Sequence, residues 1–205
     1  ANVSKGFRGG ERQTALLIEE LSQLDISQIL IARKGGLLAS RLDVPNLTTR
    51  LTMGDPLSVA LACKGASIVH AHEGRSIYGA YLYSLLTGIP YCVTRRVNNP
   101  LGNHFLAHKA YQNAEFVAVV APQVGDVVQI HNPRIKPEVV YSSSSNLSTK
   151  KESVKKIREM YPGKFLVGHV GALDNAQKGQ EYIIEVARKL QGSYQDIHFL
   201  LIGGG

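Results

Sequence analysis

Basic side chains follow two short apolar segments of the sequence. His70 and His72 stand at alternate positions at the end of one segment, and Arg95 and Arg96 follow a second. If these segments are strands, alternation places both imidazoles on one side, and open parallel sheets bind ligands beyond the carboxyl ends of their strands. Adjacent arginines in a loop suit the recognition of phosphate or carboxylate. We therefore predict that His72 meets a ligand and that Arg95 and Arg96 bind a phosphate group or an acceptor.

The sequence leaves other interpretations of these residues open. Two imidazoles at positions i and i+2 of a strand could chelate a metal ion, with Glu73 as the nearest further ligand. The two histidines could instead be a structural pair, and the two arginines could be solvated surface residues. Because no third ligand besides Glu73 stands nearby, we expect no metal.

Glycines could let backbone amides approach a ligand at separate places. Gly9 and Gly10 lead directly into an amphipathic segment, and the N-terminus of a helix there would favour an anion such as a diphosphate. The alternative is a plain turn, and the spacing is not Gly-x-Gly-x-x-Gly, so it gives little support for a nicotinamide cofactor. Lys178 precedes another predicted helix and can offer a point charge to a diphosphate. Gly203 and Gly204 follow an apolar strand.

The composition excludes several classes of protein. Of the 205 residues, 44% are hydrophobic and 2 are cysteine, which allows a sizeable core but neither a disulfide framework nor a cysteine zinc site. A cytoplasmic, reducing compartment is the simpler expectation. No apolar run approaches the ~20 residues of a membrane-spanning helix. The net charge of +7 favours anionic partners, but tryptophan is absent and no basic stripe is interleaved with aromatics, so we expect no nucleic acid.

Short β-branched segments alternate with amphipathic segments, which predicts an α/β fold with doubly wound parallel sheets. The predicted strands are 28–32, 47–51, 67–71, 91–94, 116–120, 138–141, 165–170 and 197–202, and the predicted helices are 11–24, 56–64, 75–87, 105–113, 123–130, 151–160 and 180–190. A serine-rich segment, 142–146, predicts a linker between a first domain, 1–143, and a second domain, 144–205. We expect the first domain to lack its first strand, because residues 1–4 are too short for one, and the second domain to be truncated.

In this order the motifs resemble those of glycosyltransferase family 4, whose members are retaining enzymes of the GT-B fold. The motifs are the Gly9-Gly10 loop, the His70-x-His72 strand end, the Gly88-Ile89-Pro90-x-x-x-Thr94 strand, the Gly171-x-Leu173 and Lys178-Gly179 loop, and the Ile202-Gly203-x-Gly205 strand end. The resemblance spans nearly the whole chain. Arg95-Arg96-Val97 is similar to members that build bacterial cell-surface polysaccharide or the lipopolysaccharide core.

The resemblance implies transfer of a hexosyl-type sugar from a nucleotide-diphosphate sugar to a hydroxyl, with retention and without a metal or other cofactor. Its catalytic residues would be His72, which hydrogen-bonds the donor sugar, and Lys178, which neutralises the leaving diphosphate. Gly9, Gly10, Gly203 and Gly204 would contact the donor. The implied acceptor is a glycan or lipid-linked hydroxyl. The implied location is the cytoplasm or the inner face of the plasma membrane, where the positive charge permits peripheral contact with anionic lipid.

Two features depart from the family pattern. Ala172 stands where many members carry arginine, and the Glu-x7-Glu segment that holds the donor's ribose and sugar lies beyond Gly205 in the family. We therefore expect the complete protein to be an enzyme and this chain alone to be inactive. The alternative functions are a non-catalytic sugar-nucleotide-binding module and a GT-B sugar-nucleotide epimerase.

Overall fold

The computed structural model describes residues 1–101, 105–144 and 148–204, so Ser145 and Asn146 of the predicted linker and Gly205 of the last motif lie outside the described residues. The chain divides into two compact units, Ala1–Ser145 and Asn146–Gly205. The strand pairs of the described residues are all parallel, and helices alternate with the strands. No helix in these described ranges is long and apolar enough to cross a membrane.

The first unit contains the predicted alternation of strands and helices. Its elements are α1 (Gly9–Gln23), β1 (Gln28–Arg33), a short 3-10 turn (Ala39–Arg41), β2 (Leu47–Thr52), α2 (Pro56–Ala62), β3 (Val69–Ala71), α3 (Ser76–Thr87), β4 (Tyr91–Arg95), α4 (Phe105–Gln112), β5 (Phe116–Val119), α5 (Pro122–His131) and β6 (Glu138–Val139). Strands β1 and β2 pair with each other, and the other four pair in the order β3-β4-β5-β6. The carboxyl ends of β3 and β4 therefore lie side by side.

The first three residues run between β1 and β3 and join the two sheets. The Asn2 amide donates to the Ile31 carbonyl at 2.9 Å, and the His72 amide donates to the Ala1 carbonyl at 3.0 Å. Asn2 forms an isolated parallel bridge with Ala32, and residues 1–4 form no strand, as expected from their length. That the first domain lacks its first strand stays a prediction. We call this junction the sheet seam, and it fixes the backbone of His72.

Helices α2 and α3 pack against each other with little space between them. Gly79 of α3 faces α2, and a Cβ at this position would overlap the side chain of Val59, which is fully buried. The close approach of the two helices therefore depends on Gly79. Helix α3 ends at Thr87, and its C-cap is Gly88, whose φ of +74° is the left-handed conformation that glycine adopts without strain.

The Gly79→Ala variant should lower the free energy of unfolding by about 2 kcal/mol, because overpacking a close contact costs more than the helix propensity of alanine returns. The matched control is Gly125→Ala, which also lies in a helix. A Cβ there would make ordinary contacts, 3.4 Å from Pro137 and 3.5 Å from Val119. Urea unfolding followed by circular dichroism measures both, and equal midpoints for the two variants would contradict the close packing.

The second unit has one parallel strand pair and three helices among its described residues. Its elements are α6 (Lys151–Met160), β7 (Phe165–Val170), α7 (Asn175–Lys178), α8 (Gln180–Leu190) and β8 (Ile197–Ile202), with β7 paired to β8. The four-residue helix α7 was not predicted. Phe165 and Val170 of β7 are 64% and 78% exposed, so apolar sheet surface is open to solvent in this unit.

Candidate functional site

Two imidazoles stack at the carboxyl end of β3. The ring centroids of His70 and His72 lie 3.8 Å apart with 35° between the ring planes, so both side chains occupy one side of the strand, as alternation predicts. His70 Nε2 lies 2.7 Å from Thr94 Oγ1 on β4. Burial lowers the pKa of His70 to about 4. His70 is therefore uncharged at neutral pH and held in place by its neighbour.

Arg96 connects His72 to the start of α1. Its Nη1 donates to the His72 carbonyl at 2.9 Å, and its Nη2 lies 3.2 Å from His72 Nδ1. A Cβ on Gly10 would lie 3.9 Å from Arg96 Cδ, which is an ordinary van der Waals contact. Burial lowers the pKa of Arg96, while the charge of Glu11 raises it. The structure thus brings together three of the residues singled out in the sequence: Gly10, His72 and Arg96.

The contact with Arg96 fixes the tautomer of His72. A guanidinium has only donors, so Nδ1 accepts and the ring proton is on Nε2. Burial is the main reason why the pKa of His72 lies well below its ordinary value of 6.5, and the nearby His70 and Arg96 lower it further. His72 is 8% exposed. The side chain is therefore a neutral imidazole that can offer its Nε2–H to a ligand.

Glu73 caps helix α3. Its Oε1 accepts from the Ser76 amide at 2.7 Å and its Oε2 accepts from the Arg75 amide at 2.9 Å, and a carboxylate is stabilised at this end of a helix. Both carboxylate oxygens thus have a structural use. In the part of the chain that the structure describes, no group of three or more His, Cys, Asp or Glu side chains could hold a metal ion. Chemistry without a metal stays a prediction.

Gly9 and Gly10 form the first turn of α1 rather than a loop before it. Glu11 follows them, is 7% exposed, and accepts from the Arg8 amide at 2.9 Å. Apart from its own helix and chain neighbours, no described atom lies within 4 Å of a Cβ built on Gly9. Internal packing does not require glycine at either position. The open helix N-terminus is a place where an anion could approach backbone amides.

Arg95 does not join this group. Strand β4 runs one residue further than predicted, so Arg95 is its last residue and Arg96 points to the opposite side. Arg95 is 8% exposed, its Nη1 donates to the Tyr111 hydroxyl at 3.2 Å, and its Nη2 donates to the Asn99 carbonyl. The expectation that both arginines lie in a loop is therefore corrected for Arg95, which belongs to the strand and whose side chain pleating separates from that of Arg96. Binding of a phosphate group or an acceptor by either arginine stays a prediction.

In the second unit, Lys178 follows the carboxyl end of β7. Helix α7 ends at Lys178, and the chain turns at Gly179, with a φ of +62°, into α8. A Cβ on Gly171 would lie 3.7 Å from Cγ and Cδ of Lys178, so the lysine stem passes over this glycine. Lys178 is exposed. The Gly171 amide donates to the Ile202 carbonyl at 3.0 Å, which brings the loops after β7 and β8 together.

The two glycines after β8, Gly203 and Gly204, differ in whether packing requires a glycine at their position. A Cβ on Gly203 would overlap the carbonyl of Gly171, so packing alone explains a glycine there. No described atom other than its chain neighbours lies within 4 Å of a Cβ on Gly204, whose carbonyl accepts from the Leu173 amide at 3.0 Å. Both glycines are predicted to bind the donor. Packing explains the glycine at position 203 but does not explain the glycine at position 204.

Sequence analysis missed Glu11, Gln180 and His169. Glu11 had a signal, because a Glu at the third position of a helix is typical of a capping box. Gln180 is 7% exposed and its Nε2 donates to the Ala172 carbonyl at 2.6 Å, while its Oε1 has no partner among the described residues. The buried Nε2 of His169 likewise lacks a described partner, and it would lie 3.5 Å from a Cβ on Gly171.

Comparison with known proteins gives a match in structure alone. No protein-family model matches the chain, and no curated protein matches it. Crystal structures of Anabaena Alr3699/HepE in complex with UDP, with UDP and glucose, and with UDP-glucose match it with a TM-score of 0.65 each. Their identities to this chain are 16%, 17% and 15%. The chain has the fold of HepE.

The match to HepE covers 98% of this chain and 67% or 68% of the HepE chain. It confirms the predicted α/β fold class with Rossmann-like parallel sheets of the GT-B type. At this level of identity the match to HepE shows the fold, and the UDP and UDP-glucose of the crystal structures are ligands of HepE.

Proposed function

We propose that the protein is a glycosyltransferase that moves a sugar from a nucleotide-diphosphate donor to a hydroxyl group. The observation that carries this proposal is the contact of Arg96 with both His72 and the Gly10 position. A neutral hydrogen-bond donor, a cation and a helix N-terminus at one sheet edge suit the hydroxyls of a sugar and the charge of a diphosphate. The shared fold with HepE, whose crystal structures contain UDP and UDP-glucose, supports a UDP-sugar as the first donor to test.

In this proposal His72 is a catalytic residue and Arg96 is a positioning residue. His72 donates its Nε2–H to a hydroxyl of the donor sugar near the reacting carbon. Arg96 occupies Nδ1, which keeps the imidazole neutral and its proton on Nε2. A protonated ring would put a second positive charge beside the guanidinium, so the arrangement favours hydrogen bonding over proton transfer. Gly9 and Gly10 leave the helix N-terminus open to the diphosphate.

Lys178 is proposed to neutralise the leaving group. Negative charge grows on the diphosphate as the bond from the sugar carbon to the phosphate oxygen breaks, and a cation placed beforehand stabilises that charge. Lys178 is exposed and its stem is steadied over Gly171, so its ammonium can reach a ligand at modest conformational cost. We propose that this lysine replaces a divalent ion, and that the transfer retains the anomeric configuration.

The proposed acceptor is a hydroxyl of a glycan or of a lipid-linked glycan of the bacterial cell surface. The net charge of +7 supports an anionic partner, either in the acceptor or in the lipid around it. A lipid-linked acceptor would place the reaction at the inner face of the plasma membrane.

The Lys178→Met variant should bind UDP about tenfold more weakly, which is a loss of about 1.4 kcal/mol, while its affinity for uridine stays the same. Uridine lacks the diphosphate, so a lysine that contacts phosphate changes only the first affinity. Isothermal titration calorimetry measures both ligands. The control is Lys189→Met, an exposed lysine of α8 that pairs with Glu185 at 3.0 Å. Equal weakening of UDP and uridine, or of neither, would contradict the role of Lys178.

Turnover separates the proposal from its alternatives. The full-length protein is incubated with UDP-glucose, with and without a glycan acceptor, and the products are identified by mass spectrometry and NMR. Glucosylated acceptor supports the glycosyltransferase. Nucleotide binding without any turnover would instead indicate a binding module, for which Ala172 in place of the family's arginine is the motivating feature. Isomerised sugar nucleotide formed without acceptor would indicate an epimerase.

A further inference from the structure

Arg95 is a buried cation with no anionic partner in the part of the chain that the structure describes. It is 8% exposed, and its contacts are the neutral Tyr111 hydroxyl and the Asn99 carbonyl. Its Nε is buried and has no hydrogen-bond partner among the described residues. No carboxylate in that part of the chain forms a salt bridge with it. A charge buried in this way is costly unless something pairs with it.

Glu73 is an acidic residue whose charge acts on Tyr111, and its carboxylate is already used. Burial is the main reason why the pKa of Tyr111 is raised; the charge of Glu73 raises it further, and Arg95 acts in the opposite direction. Both oxygens of Glu73 accept backbone amides of α3, however, so this carboxylate caps a helix rather than pairing with the guanidinium. Burial keeps the Tyr111 hydroxyl protonated, and a protonated phenol can donate to an anion.

A cavity of about 200 Å³ lies beside this guanidinium. Its lining includes Gly74, Tyr78, Arg95, Val97, Asn99 and Tyr111. Val97 and Asn99 are exposed, so solvent reaches the cavity from their side. The volume is below the ~300–1,000 Å³ of a site for a drug-sized ligand. It fits a single substituent of a larger molecule, with apolar walls at Ile77, Val97, Pro100, Leu101 and Ala107 and donors at Arg95 and the two tyrosines.

We propose that this cavity binds an oxyanion, the phosphate or carboxylate substituent of the acceptor. Guanidinium groups bind both oxyanions through parallel N–H donors. Arg95 lines the cavity, and only two of its five N–H donors have partners among the described residues. Gly74 lines the cavity and stands two residues after His72, so the cavity lies at the same carboxyl end of the sheet as His72, although pleating points Arg95 away from Arg96. The assignment of the oxyanion to an acceptor rests on the proposed function, whereas anion binding by the cavity does not.

The test follows the Arg95 Nε–H resonance by NMR during titration with inorganic phosphate at constant ionic strength. Arg95→Lys, which keeps the charge but has no Nε, assigns the resonance by its disappearance. We expect a saturable shift in the wild type, and we expect Arg95→Met to weaken phosphate binding about tenfold, as measured on other resonances of the cavity. Arg96→Met is the matched control, and it should leave the Arg95 shift in place.

Two results would overturn the cavity as an anion site. One is that phosphate does not shift the Arg95 resonance. The other is that phosphate binding is lost in Arg96→Met but kept in Arg95→Met. If Arg95→Met fails to fold, the wild-type titration and its Arg96→Met counterpart still decide the question. Because the variant removes an unpaired buried charge, we expect it to fold and to lose the thermal stabilisation that phosphate gives the wild type.

The source of the anion is decided by comparing inorganic phosphate with glucose 6-phosphate, glucuronate and neutral glucose. Tighter binding of either anionic sugar than of inorganic phosphate, with no effect of glucose, supports an acceptor substituent. Binding of inorganic phosphate alone overturns the acceptor assignment. UDP titrations run on the same samples keep the two proposals apart. A protein that binds phosphate at Arg95 but not UDP retains the anion site and loses the proposed function.

Discussion

Replacement of His72 by alanine should slow sugar transfer by about 100-fold, which is the size of effect seen when one preorganised donor to a reacting group is removed. The Nε2–H of this neutral imidazole is the donor that the change removes. His72→Gln keeps an amide N–H donor at similar reach, so it should lose only about tenfold. Initial rates of the full-length protein with a saturating UDP-sugar measure both variants.

The control for His72 is His70→Gln, which alters the other ring of the stack but no proposed ligand contact. We expect its rate to stay within a few fold of the wild type. Circular dichroism must show that all three variants are folded, and UDP affinity must change less than the rate does. A His72→Ala enzyme with unchanged turnover, or a His70→Gln enzyme that is equally slow, would remove His72 from the mechanism.

The same environment predicts how the protein responds to pH. The pKa of His72 lies well below 6.5 in the folded protein, so transfer should show no inflection near 6.5 from this residue. In the unfolded chain both histidines take up protons as the pH falls below 6.5. In the folded chain His70 takes up a proton only when the pH falls to about 4, because its pKa is lowered to about 4. The free energy contributed by the two neutral rings is therefore complete above 6.5 and declines as the pH falls towards 4.

Gly203→Ala should destabilise the second unit by about 3 kcal/mol, at the upper end of the usual cost of overpacking. The added Cβ would overlap the carbonyl of Gly171, and a backbone carbonyl cannot rotate away as a side chain can. The loop that carries Gly171 also supports the stem of Lys178. We therefore expect weaker UDP binding in the same variant, measured by calorimetry beside urea unfolding.

Gly204→Ala is the matched control for this change, because it adds the same methyl group one residue further along the chain. A Cβ there meets no described atom within 4 Å outside its chain neighbours, so stability should be unchanged within about 0.5 kcal/mol. If Gly204 also faces the donor, its variant weakens UDP binding without loss of stability. Equal stability of the two variants would refute the contact between the loops.

The alternation of apolar strands and amphipathic helices could be predicted from the sequence because each period reflects one buried face. Four elements of the second unit have the predicted bounds: helices 151–160 and 180–190 and strands 165–170 and 197–202. Helix α1 begins at Gly9, two residues earlier than predicted. The prediction missed Gly9 and Gly10 because glycine has poor helix propensity. Helix α7 is four residues long, which is too short to show a period.

The site was predictable only where one strand determines it. Alternation predicts that His70 and His72 share a side, and the structure places them there. The contact between His72 and Arg96 joins residues 24 positions apart, so no local pattern could reveal it. Arg95 was wrongly assigned to a loop because charged residues are typical of loops. The alternating burial of β4 continues through Arg95. Extending the alternation of Tyr91 and Val93 by one step would have placed Arg95 inside.

The sheet seam gives the protein a handle for engineering. Because the His72 amide donates to the Ala1 carbonyl, and the Asn2 amide donates to the Ile31 carbonyl across the junction, a cut in the backbone after Val3 should loosen the imidazole. The proposed sugar transfer could in this way be switched off by a protease, with the His72 side chain itself left unaltered.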